Sequence, residues 1–197
     1  MYRDKRVYDE LDKMVIQIYL DYGFNRFPLD EFYVCERMGI ELKPYSSFSP
    51  EDREILKKKS IYGFCSPIQK RMPALIFYND SLADLHSSGC VRQTIFHEIK
   101  HYVFEDADDD AANDDLAEHF GKYFMCPTPY LIVKGIEDPE EIQEKFGVSF
   151  TMANNLSGSV KNRKRYFGAR LFPHEWPLIE LLDNEFYNSN FPGGECL

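Results

Sequence analysis

Thr94-Ile95-Phe96-His97-Glu98-Ile99-Lys100-His101 is the stretch from which the rest of the chain is read. Around it Val91, Ile95, Ile99, Tyr102 and Val103 recur at helical spacing, so the chain from about Ser88 onward reads as an amphipathic helix. Residues four apart on a helix stand one turn up the same face, which lets the imidazoles of His97 and His101 reach one metal ion. Glu98 projects to the side of that pair. There a carboxylate can take a proton from a metal-bound water instead of binding the metal itself. The apolar stripe falls on the opposite side of the helix, as a site facing a cleft requires.

Two histidines leave a metal short of a ligand. Positions three and six after His101 are Phe104 and Ala107 rather than Gly and His, so the chain lacks the extended three-histidine motif. A carboxylate from the next helix, expected over Asp110 to Met125, is the other solution. Asp114, Ala117, Glu118 and Gly121 share one face of it. Ala117 and Gly121 have almost no side chain, so two helices can approach there and bring even a short Asp near the metal. Glu118, one turn further on, is the competing ligand, or else a hydrogen-bond acceptor behind a ligand histidine. His119 points well away.

His97-Glu98-Ile99-Lys100-His101, then Asp114-Asp115-Leu116-Ala117-Glu118-His119-Phe120-Gly121, then Phe124-Met125-Cys126-Pro127, resembles the ImmA/IrrE family of zinc metallopeptidases. Their pattern is H-E-x-x-H, followed by E-x-x-A-(N/D)-x-F-A and a hydrophobic stretch ending in Pro. The resemblance runs from about residue 40 to 165. It takes in Ala74 to Asp80, Asp138-Pro139-Glu140-Glu141-Ile142 and Phe146-Gly147-Val148-Ser149. It implies an α+β, zincin-like fold with a small β-sheet, Zn2+ held by His97, His101 and Asp114, and Glu98 as catalytic base. It further implies that the substrate is a helix-turn-helix repressor or antitoxin. The chain departs from the pattern at three positions: Asp114 for Glu, Glu118 for Asn or Asp, and Gly121 for Ala.

Working outward, Val7, Leu11, Met14, Val15, Ile18 and Tyr19 predict a helix over Asp4 to Asp21. A second is expected over Leu29 to Met38, with Gly39 as its stop. Ile40 to Tyr45, Ile61 to Ile68 and Ala74 to Tyr78 read as strands, and Ser49-Pro50-Glu51-Asp52 as a helix start. Cys126-Pro127-Thr128-Pro129 reads as a helix stop, followed by helices near 139–146, 149–165 and 175–187. Strands early and helices late make one α+β domain. It comprises N-terminal helices over 1–39, a catalytic core over 40–135 and a C-terminal helical part over 136–197. The strand ending at Tyr78-Asn79 is expected to take an extended peptide by strand addition.

The chain has 197 residues, 33 Asp and Glu against 23 Lys and Arg, and a net charge of −10. Such a chain is a poor general binder of polyphosphate, because each phosphate contact needs a cation. Five widely spaced cysteines without a Cys-x-x-Cys argue against a disulfide framework or a cysteine zinc knot and fit a reducing cytoplasm. No apolar run resembles a signal peptide or a membrane span. The acidic stretch from Glu105 to Glu118 begins like a calcium loop at Asp106 but fails at Ala111 and Ala117, and reads as a solvated loop. His86 and His174 lack partners at ligand spacing. Residues 139–170 have the rhythm of a helix-turn-helix, with six basic side chains against three acidic ones. The reading favoured there is a helical hairpin packed beside the core, and direct nucleic-acid binding is not expected. The alternatives to a peptidase are therefore a DNA-binding regulator using 139–170, and a non-catalytic partner-binding protein with a vestigial zinc site.

Overall fold

A computed structural model of the chain describes residues 5–66, 74–82, 88–105, 111–184, 186 and 187. Its elements are α1 (Lys5–Tyr22), α2 (Glu31–Met38), β1 (Ile40–Pro44), α3 (Pro50–Lys59), β2 (Gly63–Cys65) and β3 (Ala74–Tyr78). They continue with α4 (Ser88–Phe104), α5 (Ala111–Met125), α6 (Thr128–Lys134), α7 (Pro139–Phe146), α8 (Phe150–Phe167) and α9 (Trp176–Leu182). The fold is α+β, mostly helical with one three-stranded sheet. No described helix is long and apolar enough to cross a membrane. Contacts divide the chain into two compact units, residues 30–122 and residues 1–29 with 123–197.

Residues 30–122 hold the sheet, in the order β1-β3-β2. β1 runs parallel to β3, from Ile40 opposite Ala74 to Pro44 opposite Tyr78. β2 runs antiparallel to β3, with Phe64 opposite Phe77. β3 is thus the central strand, with both edges paired. That corrects the expectation that it takes a peptide by strand addition. β2 is also shorter than the sequence suggests, since Ile61 and Tyr62 form a bend before it. Three hydrogen bonds fix that bend: Asn79 Nδ2 donates to the Ile61 carbonyl, Asn79 N to that of Tyr62, and Tyr45 Oη to that of Ser60.

The inward face of β3 (Ala74, Ile76, Tyr78) is buried, and α4 packs on β2 and β3. Gly63 makes the closest approach: a Cβ there would lie 2.6 Å from the Phe77 carbonyl oxygen and 2.8 Å from Thr94 Cγ2. On the other face Phe64 stacks on Phe77, their centroids 4.8 Å apart. α2 is capped by Asp30, whose carboxylate accepts from Tyr33 N, and closes on Gly39 at φ 71, a left-handed conformation that suits glycine. Arg92 on α4 meets Glu31 on α2 at 3.6 Å. Burial raises the Glu31 pKa, and the guanidinium opposes that rise.

The other unit is helical. Tyr19, Phe24 and Phe124 form one aromatic cluster; Phe27, Tyr130 and Phe146 form another. Tyr19 Oη donates to the Phe124 carbonyl at 2.6 Å. α6 is the helix the sequence reading missed. Pro127 and Pro129, read as a stop, stand as its N-cap and in its first turn, where a missing N–H costs nothing. α7 and α8 pack together across Gly147-Val148-Ser149; Gly147 takes the left-handed turn at φ 61, and Ser149 Oγ accepts from Met152 N. Arg163 on α8 grips Glu175 with two hydrogen bonds of 2.6 Å, and Glu175 is 1% exposed.

Candidate metal centre

The quoted stretch lies in the middle of α4. Val91, Ile95, Phe96 and Ile99 are buried, which fixes the rotation of the helix, and His97 and His101 emerge together one turn apart. Their Nε2 atoms stand 3.4 Å apart. His97 keeps 24% of its side chain exposed, whereas His101 is buried.

α5 packs against α4 at Gly121, where there is room for a methyl group and little more. A Cβ at Gly121 would lie 3.4 Å from His97 N, already at contact distance, and Ala117 one turn back is fully buried. This approach delivers Asp114, in the first turn of α5, to His97: its Oδ1 lies 3.2 Å from Nε2. Glu118 turns instead to an ion pair with Lys122.

Burial, and then the neighbouring His101, lower the pKa of His97, while Asp114 pulls the other way. The imidazole is therefore neutral at pH 7, the form that offers a lone pair to a metal. Zinc binds nitrogen and oxygen at about 2.0–2.1 Å in tetrahedral sites, so adjacent donors stand about 3.3–3.4 Å apart. The 3.4 Å and 3.2 Å contacts match two edges of such a tetrahedron. No closed group of three His, Cys, Asp or Glu donors stands ready among the described residues. Two imidazoles and a carboxylate are donors of the kind zinc takes, and the two contacts about His97 are of the right length.

Glu98 is 8% exposed, and its Oε2 accepts from Cys65 N at 2.7 Å. The bond stitches α4 to the outer side of β2. Burial and the Glu98 charge push both the Cys65 thiol and the Tyr45 phenol up to about 12. Both stay protonated at neutral pH, so neither supplies a nucleophile. A cleft of about 600 Å³ opens over this group. Tyr62, Gly63 and Phe64 line one side of it, and Asp114, Asp115 and Glu118 also line it, along with His97 and Glu98.

The structure thus pairs His97 with His101 and with Asp114, places Glu98 beside His97 on the cleft wall and leaves Glu118 on Lys122. The sequence reading did not find the Cys65 backbone N–H, which no side-chain pattern encodes, or Gln93. Gln93 lines the cleft four residues before His97, and that helical spacing is a signal the sequence does carry. The Asp106 loop and His86 lie outside the described residues. The chain matches no protein-family model, no curated protein and no solved structure.

Proposed function

We propose that the chain is a cytoplasmic, zincin-like zinc endopeptidase of the ImmA/IrrE type, acting on a helix-turn-helix repressor or antitoxin. The observation that carries this reading is that His97 stands 3.4 Å from His101 and 3.2 Å from Asp114, while His97, Glu98 and Asp114 line an open cleft. His97, His101 and Asp114 would hold the metal. Zinc, when bound, lowers the pKa of a coordinated water to about 7 and polarises the scissile carbonyl. Glu98 accepts the proton of the attacking water on its carboxylate and returns it to the leaving amine. The Cys65 N–H holds that carboxylate in place during both transfers.

Strand addition, if substrate uses it, falls to β2. Its outward N–H groups at Gly63 and Cys65 already donate to Ser60 Oγ and to Glu98. A peptide would therefore read the walls of the cleft more than that backbone edge.

The test is co-expression with candidate helix-turn-helix repressors and antitoxins, comparing wild type with Glu98→Gln. Cleavage by the wild type alone is the expected result. Cleavage at equal rates by both would remove Glu98 from the mechanism. Zinc binding without cleavage of any co-expressed repressor would favour the non-catalytic partner-binding protein.

A further inference from the structure

A chain with 33 acidic residues has none between Lys145 and His174, a tract that carries six Lys and Arg. The structure sorts those cations. On the inner half of α8, Arg163 is committed to Glu175 and Lys164 to Glu137 at 2.5 Å. Both fasten the helix to its own unit and are lost to any partner.

The outer half is different in kind. Thr151, Asn154, Asn155, Gly158, Lys161, Asn162 and Arg165 are all exposed and share one face, while Met152, Ala153, Leu156, Ser157 and Val160 are buried on the other. A Cβ at Gly158 would meet nothing within 4 Å, so the stripe is open at its centre. Among the described residues, the amides of Asn154, Asn155 and Asn162 make no side-chain hydrogen bond. From Thr151 to Arg165 the stripe runs about 21 Å at 1.5 Å per residue.

We infer that this face of α8 is a binding surface for duplex DNA, with α8 lying in the major groove and α7 behind it. The inference does not depend on the peptidase reading. Four features choose this partner. The face offers cations and no carboxylate, which complements phosphate despite the net charge of the chain. Its centre is amide, and an amide presents a donor and an acceptor together, the pairing that reads a base edge; an acidic peptide needs only cations. A helix fits the groove of B-form DNA, about 12 Å wide, whereas the major groove of A-form RNA is too narrow. α7 and α8, joined by a three-residue turn containing Gly147, have the connection of a helix-turn-helix, whose second helix enters the groove. The sequence reading favoured a helical hairpin packed beside the core over nucleic-acid binding for 139–170. Burial separates the cations that face out from those that are spent.

The test is fluorescence anisotropy of a labelled 30-base-pair DNA duplex titrated with the full chain at several salt concentrations. Contacts from Lys161 and Arg165 should give a dissociation constant of about 10⁻⁴–10⁻⁶ M and a log–log salt slope of about −2. Lys161→Glu with Arg165→Glu should weaken binding at least tenfold and flatten the slope by about 2. Lys161→Gln with Arg165→Gln, a gentler pair, should fall between the two. Asn154→Ala with Asn155→Ala should keep the salt slope and lose whatever motif the wild type enriches from random duplexes. The inference is overturned by no anisotropy change up to about 100 μM protein at 50 mM salt, the weak end of the non-specific range even at higher salt. It is overturned equally by charge-reversed protein, folded by circular dichroism, that binds like wild type. Polyglutamate competing as well as duplex would assign the face to an acidic protein instead, and double-stranded RNA binding as well as DNA would remove the groove argument.

Discussion

Asp114 and Glu118 lie one turn apart, yet only Asp114 reaches a histidine; Glu118 is held by Lys122. Zinc content should rank the residues accordingly. Wild type should carry about one zinc per chain by elemental analysis, and His97→Ala or His101→Ala should lose most of it. Asp114→Ala should cost far more affinity than Glu118→Ala, whose effect should stay within about 10–100-fold. A larger loss at Glu118 would reverse the assignment. Glu98 separates chemistry from structure in the same way. Glu98→Gln keeps an oxygen for the Cys65 N–H, so zinc and stability should persist while cleavage disappears. Glu98→Ala leaves that N–H without its acceptor and should lower stability in urea by about 1–3 kcal/mol beyond the Gln variant. At this scale the sequence was informative about side chains that act through their own spacing. It was silent about a bond between a carboxylate and a backbone thirty-three residues away.

Elements were legible where their ends carry chemistry. Ser49-Pro50 opens α3, Asp138-Pro139 opens α7 and Gly39 closes α2, each as the sequence suggests. α6 was missed because the same prolines that end one helix can begin the next, and periodicity over seven residues is too short to decide. The order of the sheet was also hidden. Nothing local in Ala74 to Tyr78 says that β1 and β2, both earlier in the chain, flank it on either side. Gly63 reveals how tightly that sheet meets α4. Gly63→Ala drives a methyl group into the Phe77 carbonyl and Thr94, and should destabilise the protein by about 1–3 kcal/mol in urea unfolding. An unchanged midpoint would mean that β2 yields freely and that the cleft wall is softer than its hydrogen bonds imply.

For the whole molecule, the proposed zinc would be coupled to folding by mass action. Free metal at a hundred times its dissociation constant stabilises the native state by about 2.7 kcal/mol. In a chain of this length each kcal/mol moves the midpoint by about 2–4 °C. Chelation should therefore lower the melting temperature of the zinc-loaded protein by about 5–10 °C, and the His97→Ala variant should not respond to chelator. A chelator effect of equal size in that variant would place the metal elsewhere. Composition spoke least clearly at this scale. An average charge of −10 describes neither the acidic wall of the cleft nor the tract from Lys145 to His174, because an average erases segregation.

On the proposed ImmA/IrrE reading, the contact at Gly121 would link two of the chain's differences from that pattern. Where the pattern pairs a longer carboxylate with Ala, this chain pairs a shorter one with no side chain at all. One methylene removed from the ligand is matched by one methyl removed from the spacer. The two positions then form a single ruler, and changing one end alone misreads the distance. Gly121→Val should push α5 outward and cost more than tenfold in zinc affinity, and adding Asp114→Glu should recover much of it. A double-mutant cycle should show a favourable coupling of about 0.5–3 kcal/mol. Strict additivity would mean that the helix spacing is set elsewhere.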